Sequence, residues 1–444
     1  MKDIEFIYKD SLVSQDKINE TSSRVSDYVE YIRSVADIDC KSEIKYENAE
    51  SSINLPFDEG VCKKVNEVVR RVRTDNLKYI IVIGIGGSNL GTKAIYDSLR
   101  GQLDLLLVNE TPKIIFADTV DSKLLNDIRT TVDKNIASKD EILVNVISKS
   151  GATTETIANF EIIYSFLKNK FDEAKDRVVV TTDYGSKLWD KAKEYGFEVL
   201  EIPATVGGRY SVFSAVGLFP LMITGFDIDG ILSGARVMRN KCITEDVSGN
   251  PALMSAVIIY LHNKSGVSIH NSFFFNPELE SVGRWYRQLM GESIGKRFDT
   301  DGEEINSGIT PITSIGSTDL HSMAQLYIGG PKDKITTFVY EYKDNNTLSV
   351  PKEAVFNNTV KGIDGVRLSK IMDAIFDGTK ESYRKNKLPF IEIRLPVVNE
   401  YILGQFLQFK MLEMMYLARL LRVNAFDQPD VEDYKVETKR ILQN

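Results

Sequence analysis

Between Tyr79 and Ile202, five short runs rich in β-branched residues alternate with stretches of helical periodicity: Tyr79 to Ile83, Lys113 to Ala117, Ile142 to Ile147, Arg177 to Thr181 and Val199 to Ile202. Runs this apolar offer no polar face to water. The segments between them are long enough for crossover helices, so the pattern predicts a parallel sheet covered on both faces. Such a sheet collects ligands at the carboxyl ends of its strands. Two of those ends carry unusual loops: Gly84, Ile85, Gly86, Gly87, Ser88 after the first run, and Ser148, Lys149, Ser150, Gly151, Ala152, Thr153, Thr154 after the third. Glycine lets the backbone approach an anion, a helix N-terminus aims N–H groups and a positive dipole end at it, and hydroxyls add donors. A helix cap uses one or two hydroxyls, whereas Ser148, Ser150, Thr153 and Thr154 crowd one helix entrance, which points to a phosphate site.

The first loop can also be read as a dinucleotide turn. Gly84 and Gly86 fit the start of GxGxxG, but Asn89 stands where the third glycine is needed and Gly91 comes too late. Glu110, at the distance of a ribose-binding acid, carries little weight in a chain with 63 acidic residues. No GxxxxGK[ST] loop is present, so neither a nicotinamide dinucleotide nor a nucleoside triphosphate is expected.

At 444 residues the chain has room for two or three domains. A net charge of −8 with no basic block gives no general attraction to nucleic acid or anionic membrane, so a small anion must be held by a local cluster of donors. Cys40, Cys62 and Cys242 lie far apart with no CxxC spacing, which indicates neither a zinc site nor a disulfide framework and fits a reducing cytoplasm. Met1 to Asp10 carries acids and no apolar core of a signal peptide. Tyr401 to Leu421 is the most apolar stretch, but Gln405, Gln408, Lys410, Glu413 and Arg419 interrupt it, so a buried helix is expected rather than a membrane span.

Residues 1–60 read as a polar helical appendage with a break at Asn54, Leu55 and Pro56, and residues 61–228 as the first α/β domain. The alternation then repeats more loosely. Helices are expected at Asp229 to Ile243, Ala252 to Asn263, Pro277 to Met290 and Val398 to Leu421, and strands at Val267 to Phe275, Ile335 to Tyr342 and Pro389 to Leu395. Residues 229–423 are read as a second α/β domain, and residues 424–444 as a tail ending in a short helix.

The segments GIGGSNLG, SKSGATTET, VGGRYSVFSAVGL, MGESIGK, STDLHSMAQ and FDQPDVEDYK occur in this order between Tyr79 and Lys435. In spelling, order and spacing they resemble the glucose-6-phosphate isomerase family of bacterial type. That resemblance implies two sugar-isomerase-type (SIS) α/β domains, each a parallel sheet flanked by helices, in a homodimer. It implies interconversion of glucose 6-phosphate and fructose 6-phosphate, with no cofactor or metal.

Aldose–ketose isomerisation through a cis-enediolate needs a carboxylate that lifts a proton from one carbon and returns it to the next. The resemblance assigns this to Glu292, which otherwise reads as a surface group at a helix end, after the stripe Leu279, Val282, Tyr286, Leu289 and a turn freed by Gly291. Ring opening needs a group that titrates near neutrality. His262 and His270 sit in apolar patterns suited to structural roles, while His321 matches the family's ring-opening histidine, supplied there by the partner subunit. Asp319 is placed to orient the His321 ring or to cap the turn. Lys435 matches the family's second ring-opening residue, and Arg209 its cation beside the enediolate, where a fixed positive charge acts most strongly. Ser88, Ser148, Lys149, Ser150 and Thr153 are the matching phosphate contacts; Gly87, Glu155, Gln288 and Gln428 match sugar-binding positions. Glu155 is equally what a helix first turn attracts. Ile294 departs from the family, which commonly has an acid there, and a local packing change is expected. A related isomerase that also accepts mannose 6-phosphate and a non-catalytic sugar-phosphate sensor are the alternatives. The joint presence of Glu292, His321 and Lys435 disfavours the sensor.

Overall fold

The computed structural model describes residues 2–37, 44–107, 112–342, 347–353, 355–356 and 359–443. Cys40 and Glu110 lie outside them. In chain order the strands are β1 (Glu5–Ile7), β2 (Tyr79–Ile83), β3 (Lys113–Ala117), β4 (Ile142–Ile147), β5 (Val178–Asp183), β6 (Glu198–Ile202), β7 (Ile269–Phe274), β8 (Lys296–Phe298), β9 (Glu304–Ser307), β10 (Thr310–Ile315), β11 (Lys334–Glu341) and β12 (Phe390–Leu395). The expected α/β class of parallel sheets flanked by helices is the one found.

The first sheet has the order β3-β2-β4-β5-β6 and is parallel throughout. Its central strands are buried on both faces, Ile80 to Ile83 and Ile142 to Ile147 completely, which is why they read as continuous apolar runs. Starting from β2, the chain adds β3 on one side and β4 on the other. The reversal opens a crevice between the carboxyl ends of β2 and β4, where both glycine- and hydroxyl-rich loops emerge.

The second sheet, β1-β12-β11-β7-β10, pairs β10, β7, β11 and β12 in parallel and β1 antiparallel at the edge. β10 was not among the expected strands. It is an edge strand with Pro311 at its second position and hydroxyls along it, so it lacks the apolar run that marks a central strand. Helix Glu400–Leu421 is buried along nearly its whole length. It packs against helix Ile228–Cys242 at backbone distance. A Cβ on Gly234 would lie 1.8 Å from the Tyr401 carbonyl oxygen, and one on Gly404 would lie 2.0 Å from that of Ile231. Among the described residues, no helix is long and apolar enough to cross a membrane.

The N-terminal residues are not an appendage. β1 pairs with β12, Asp3 accepts from Tyr401 and Gln405 at 2.8 Å each, and Lys241 Nζ lies 2.6 Å from Asp3 Oδ2. Pro56 falls inside a short 3-10 helix, Ala49–Phe57, and the next helix starts at Glu59, capped by Asp58. The Asn54 side chain bridges the Val35 carbonyl and Arg239 at 2.7 Å each. Sequence polarity hid this, because the short strand and the buried hydrogen bonds leave no periodic trace.

Candidate active site

The first loop is shaped by contacts only glycine permits. Gly86 has φ +59°, and a Cβ on Gly87 would lie 2.2 Å from the carbonyl carbon of Gly208. A Cβ on Gly84 would sit 3.1 Å from the carbonyl oxygen of Ile147 at the end of β4. The loop is thus pressed between the second loop and the segment carrying Arg209, with Ser88 half-buried at its end.

In the second loop Ser148 is buried and its Oγ lies 3.0 Å from Thr153 Oγ1. Ser150 is exposed, its Oγ accepting from the Ala152 N–H at 3.3 Å, and Gly151 turns the chain with φ +65°. Thr153 is the N-cap residue of helix Thr154–Phe171, yet its hydroxyl makes no capping bond. The helix therefore presents its first N–H groups uncapped, beside a hydroxyl that is bonded to Ser148 instead, an arrangement suited to an anion. Glu155 is half-buried in the first turn of that helix. Lys149 is half-buried too; burial lowers its ammonium pKa, the Asp183 carboxylate opposes the fall and Arg209 adds to it. Burial pushes the Asp183 carboxyl up to about 6, with Lys149 opposing the rise and Glu201 adding to it.

Arg209, in the 3-10 turn Gly208–Tyr210, is the hub of the cleft. Its side chain is 1 % exposed and donates to Glu292 Oε2 at 3.0 Å, Gln428 Oε1 at 2.8 Å, Ser293 Oγ at 3.0 Å and the carbonyls of Ala425 and Asp427 at 2.7 and 3.1 Å. The planar fork gathers a helix end and a distant loop into one arrangement. Glu292 lies on helix Glu280–Ile294, which runs through Gly291 without the turn expected there, and its side chain keeps 32 % exposure. Its second oxygen accepts from Gln288 Nε2 at 3.1 Å, one helical turn earlier. Gln288 in turn meets the first loop, since a Cβ on Gly86 would lie 2.9 Å from its Nε2. The glycine loop, Gln288, Glu292, Arg209 and Gln428 are therefore one connected set, and Lys149 lies close enough to Arg209 to feel its charge. Ile294 is fully buried in the main apolar cluster, where an acid would lack a partner.

Among the described residues, the side chains of the two ring-opening candidates make no hydrogen bond to this set. His321 is exposed on the turn after β10, following the 3-10 turn Thr318–Leu320. The Asp319 carboxylate accepts from the Ile315 N–H at 2.7 Å and from Ser322 Oγ at 2.8 Å, so it caps the turn rather than orienting the ring. Lys435, on helix Val431–Leu442, pairs with Glu432 at 2.6 Å. His262 Nε2 meets the Ser11 carbonyl at 2.7 Å, and His270, whose pKa burial pushes down to about 3, meets Thr337 at 2.8 Å. Both are structural.

Sequence reasoning assigned nothing to Asp183, Ser293 or Lys296. Lys296 follows Glu292 by four positions, just past the helix end, where a cation is expected to meet the last carbonyls, a placement that could have flagged it. Among the described residues, no group of three or more His, Cys, Asp or Glu is placed to hold a metal ion.

A buried arginine beside a half-exposed carboxylate, near two glycine- and hydroxyl-rich loops, suits charge stabilisation on a phosphorylated substrate. A family model described as phosphoglucose isomerase matches residues 6–444. A probable glucose-6-phosphate isomerase of Methanococcus maripaludis is 37% identical over 80% of this chain and 77% of its own. The glucose-6-phosphate isomerase of Methanocaldococcus jannaschii is 34% identical over 90% of this chain and 95% of its own. Among solved structures, a hypothetical protein from Thermus thermophilus superposes with a TM-score of 0.83 at 27% identity, covering 99% of this chain and 100% of its own. A glucose-6-phosphate isomerase from Chlamydia trachomatis gives 0.81 at 20% identity over 99% of this chain and 88% of its own, a likeness of fold.

Proposed function

The chain belongs to the phosphoglucose isomerase family, and from that premise we propose that its cleft interconverts glucose 6-phosphate and fructose 6-phosphate through a cis-enediolate. The reaction serves glycolysis and gluconeogenesis. The observation that carries the reading is the bond between the buried Arg209 and Glu292, 3.0 Å long, alongside the two-loop cradle. The substrate phosphate sits on Ser88, Ser148, Ser150 and Thr153 with Lys149 beside it, and Gly87, Glu155, Gln288 and Gln428 line the sugar. Glu292 removes the proton from one carbon and returns it to its neighbour. Arg209 offsets the negative charge that develops on the enediolate oxygens, an effect strengthened by exclusion of water.

In this reading His321 and Lys435 open the ring, and His321 is supplied by a second copy of the chain in a homodimer. Its exposure on a turn supports that assignment, as does the family resemblance. The setting is the cytoplasm, consistent with the free thiols of Cys62 and Cys242. A coupled assay converting fructose 6-phosphate to glucose 6-phosphate with a chelator present tests the proposal. Turnover is expected, and its absence with correctly folded protein contradicts the reading.

A further inference from the structure

Lys296 is a lysine turned inward. Its side chain is only 4 % exposed, although a lysine has a stem long enough to carry its ammonium to water. Burying that charge is costly unless donors and acceptors match. The Nζ donates to the main-chain oxygen of Glu292 and, at 2.9 Å, to that of Asp427, with Asp427 Oδ1 3.6 Å away. The first acceptor is one of the helix-end carbonyls that lack an intrahelical partner. Capping it would need only a surface lysine. The second acceptor lies in the loop before Gln428, and the same Asp427 oxygen also accepts from Arg209.

We propose that Lys296 is a positioning residue for the isomerisation, its ammonium clamping the end of the Glu292 helix to the loop that carries Gln428 so that base and sugar contacts keep one geometry. The inference rests on the functional reading above. Arg209 ties the same two segments through the Glu292 and Gln428 side chains and the loop carbonyls, and Lys296 ties them a second time through the main-chain oxygens of Glu292 and Asp427, with the Asp427 carboxylate beside it. Losing this second tie lets the loop shift relative to Glu292, and small misplacements of reacting groups are expensive in rate.

The charged groups facing Lys296 are Arg209, Asp427 and Glu292. Burial first and Arg209 second pull its pKa down to about 8, against Asp427 and Glu292. The clamp is therefore charged at neutral pH, and as pH rises through that value it loses its charge and with it the charge-assisted strength of both bonds, which gives it a signature a neutral structural contact lacks.

The test is steady-state turnover of fructose 6-phosphate by full-length K296Q, K296R and D427N from pH 6 to 9.5, with circular dichroism to confirm folding. K296Q is expected to lose about 100-fold in kcat while KM moves by less than about threefold. The decline in kcat near pH 8 should disappear in K296Q, whereas K296R should retain more turnover and extend it to higher pH. D427N removes a group that supports the Lys296 charge, so its decline should move to lower pH. Turnover of K296Q within about threefold of the unmodified enzyme, or an unmoved alkaline decline in D427N, overturns the proposal; if K296Q does not fold, D427N alone decides. Absence of isomerase activity in the unmodified protein would instead overturn the functional reading.

Discussion

Around Glu292 the charged and amide groups are bonded into the interior: Arg209 to both Glu292 and Gln428, Gln288 to Glu292, and Lys296 to the main-chain oxygens of Glu292 and Asp427. His321 and Lys435 are built otherwise, one exposed on a turn and the other in a surface ion pair with its helical neighbour Glu432. Interior bonding fixes a geometry before substrate arrives, so the proposed proton-transfer half is pre-organised within one chain. An exposed pair held by a single salt bridge gains little from it and fixes little. In the proposed account the ring-opening half is completed from outside, by substrate and by a second chain.

The largest effect expected is at the hub. R209M should lower kcat about 1,000-fold, and R209K should recover little of it because an ammonium cannot reproduce the planar fork. Near-normal turnover in R209K would mean that charge alone matters and that the fixed geometry is dispensable. Next comes the division between chains. E292Q and H321N subunits, each inactive alone, should regain about a quarter of the unmodified activity when mixed and refolded, because the hybrid dimer carries one intact site. No recovery would place His321 and Glu292 in the same chain's site.

Smaller effects belong to the cradle, where S148A and T153V should each raise KM about tenfold, the value of one hydrogen bond to a charged group, with kcat largely kept. The smallest concerns Asp183. Its carboxyl is raised from the ordinary aspartate value to about 6, so the ionised form is the one the fold disfavours. That cost is absent below about pH 3.8 and fully present above about pH 6. D183N should therefore melt higher than the unmodified protein at pH 7, and the gap should close toward pH 4.

The sequence made local features legible and left tertiary ones hidden. The central strands of the first sheet stood out because both faces are buried, and its edge strands β3 and β6 because they keep β-branched and apolar runs, whereas the edge strands β1 and β10 carry no such run. The two loops proposed to hold the phosphate could be picked out from residue type, since each holds its glycines and hydroxyls within a few positions. Glu292, Arg209 and Gln428 could not. Arg209 and Gln428 are 219 residues apart, and nothing in the local pattern of either announces the other, so only the family resemblance linked them. Lys296 escaped even that, because its partners are main-chain oxygens, which every residue possesses.

The central claim is that Glu292 carries the proton within a cluster already assembled in one chain. Exchange of the substrate C2 hydrogen with solvent deuterium, followed by nuclear magnetic resonance for the unmodified protein and for E292Q, tests it most directly. The account predicts exchange in the first and none in the second, with binding of the phosphorylated sugar retained. Undiminished exchange in E292Q would contradict it.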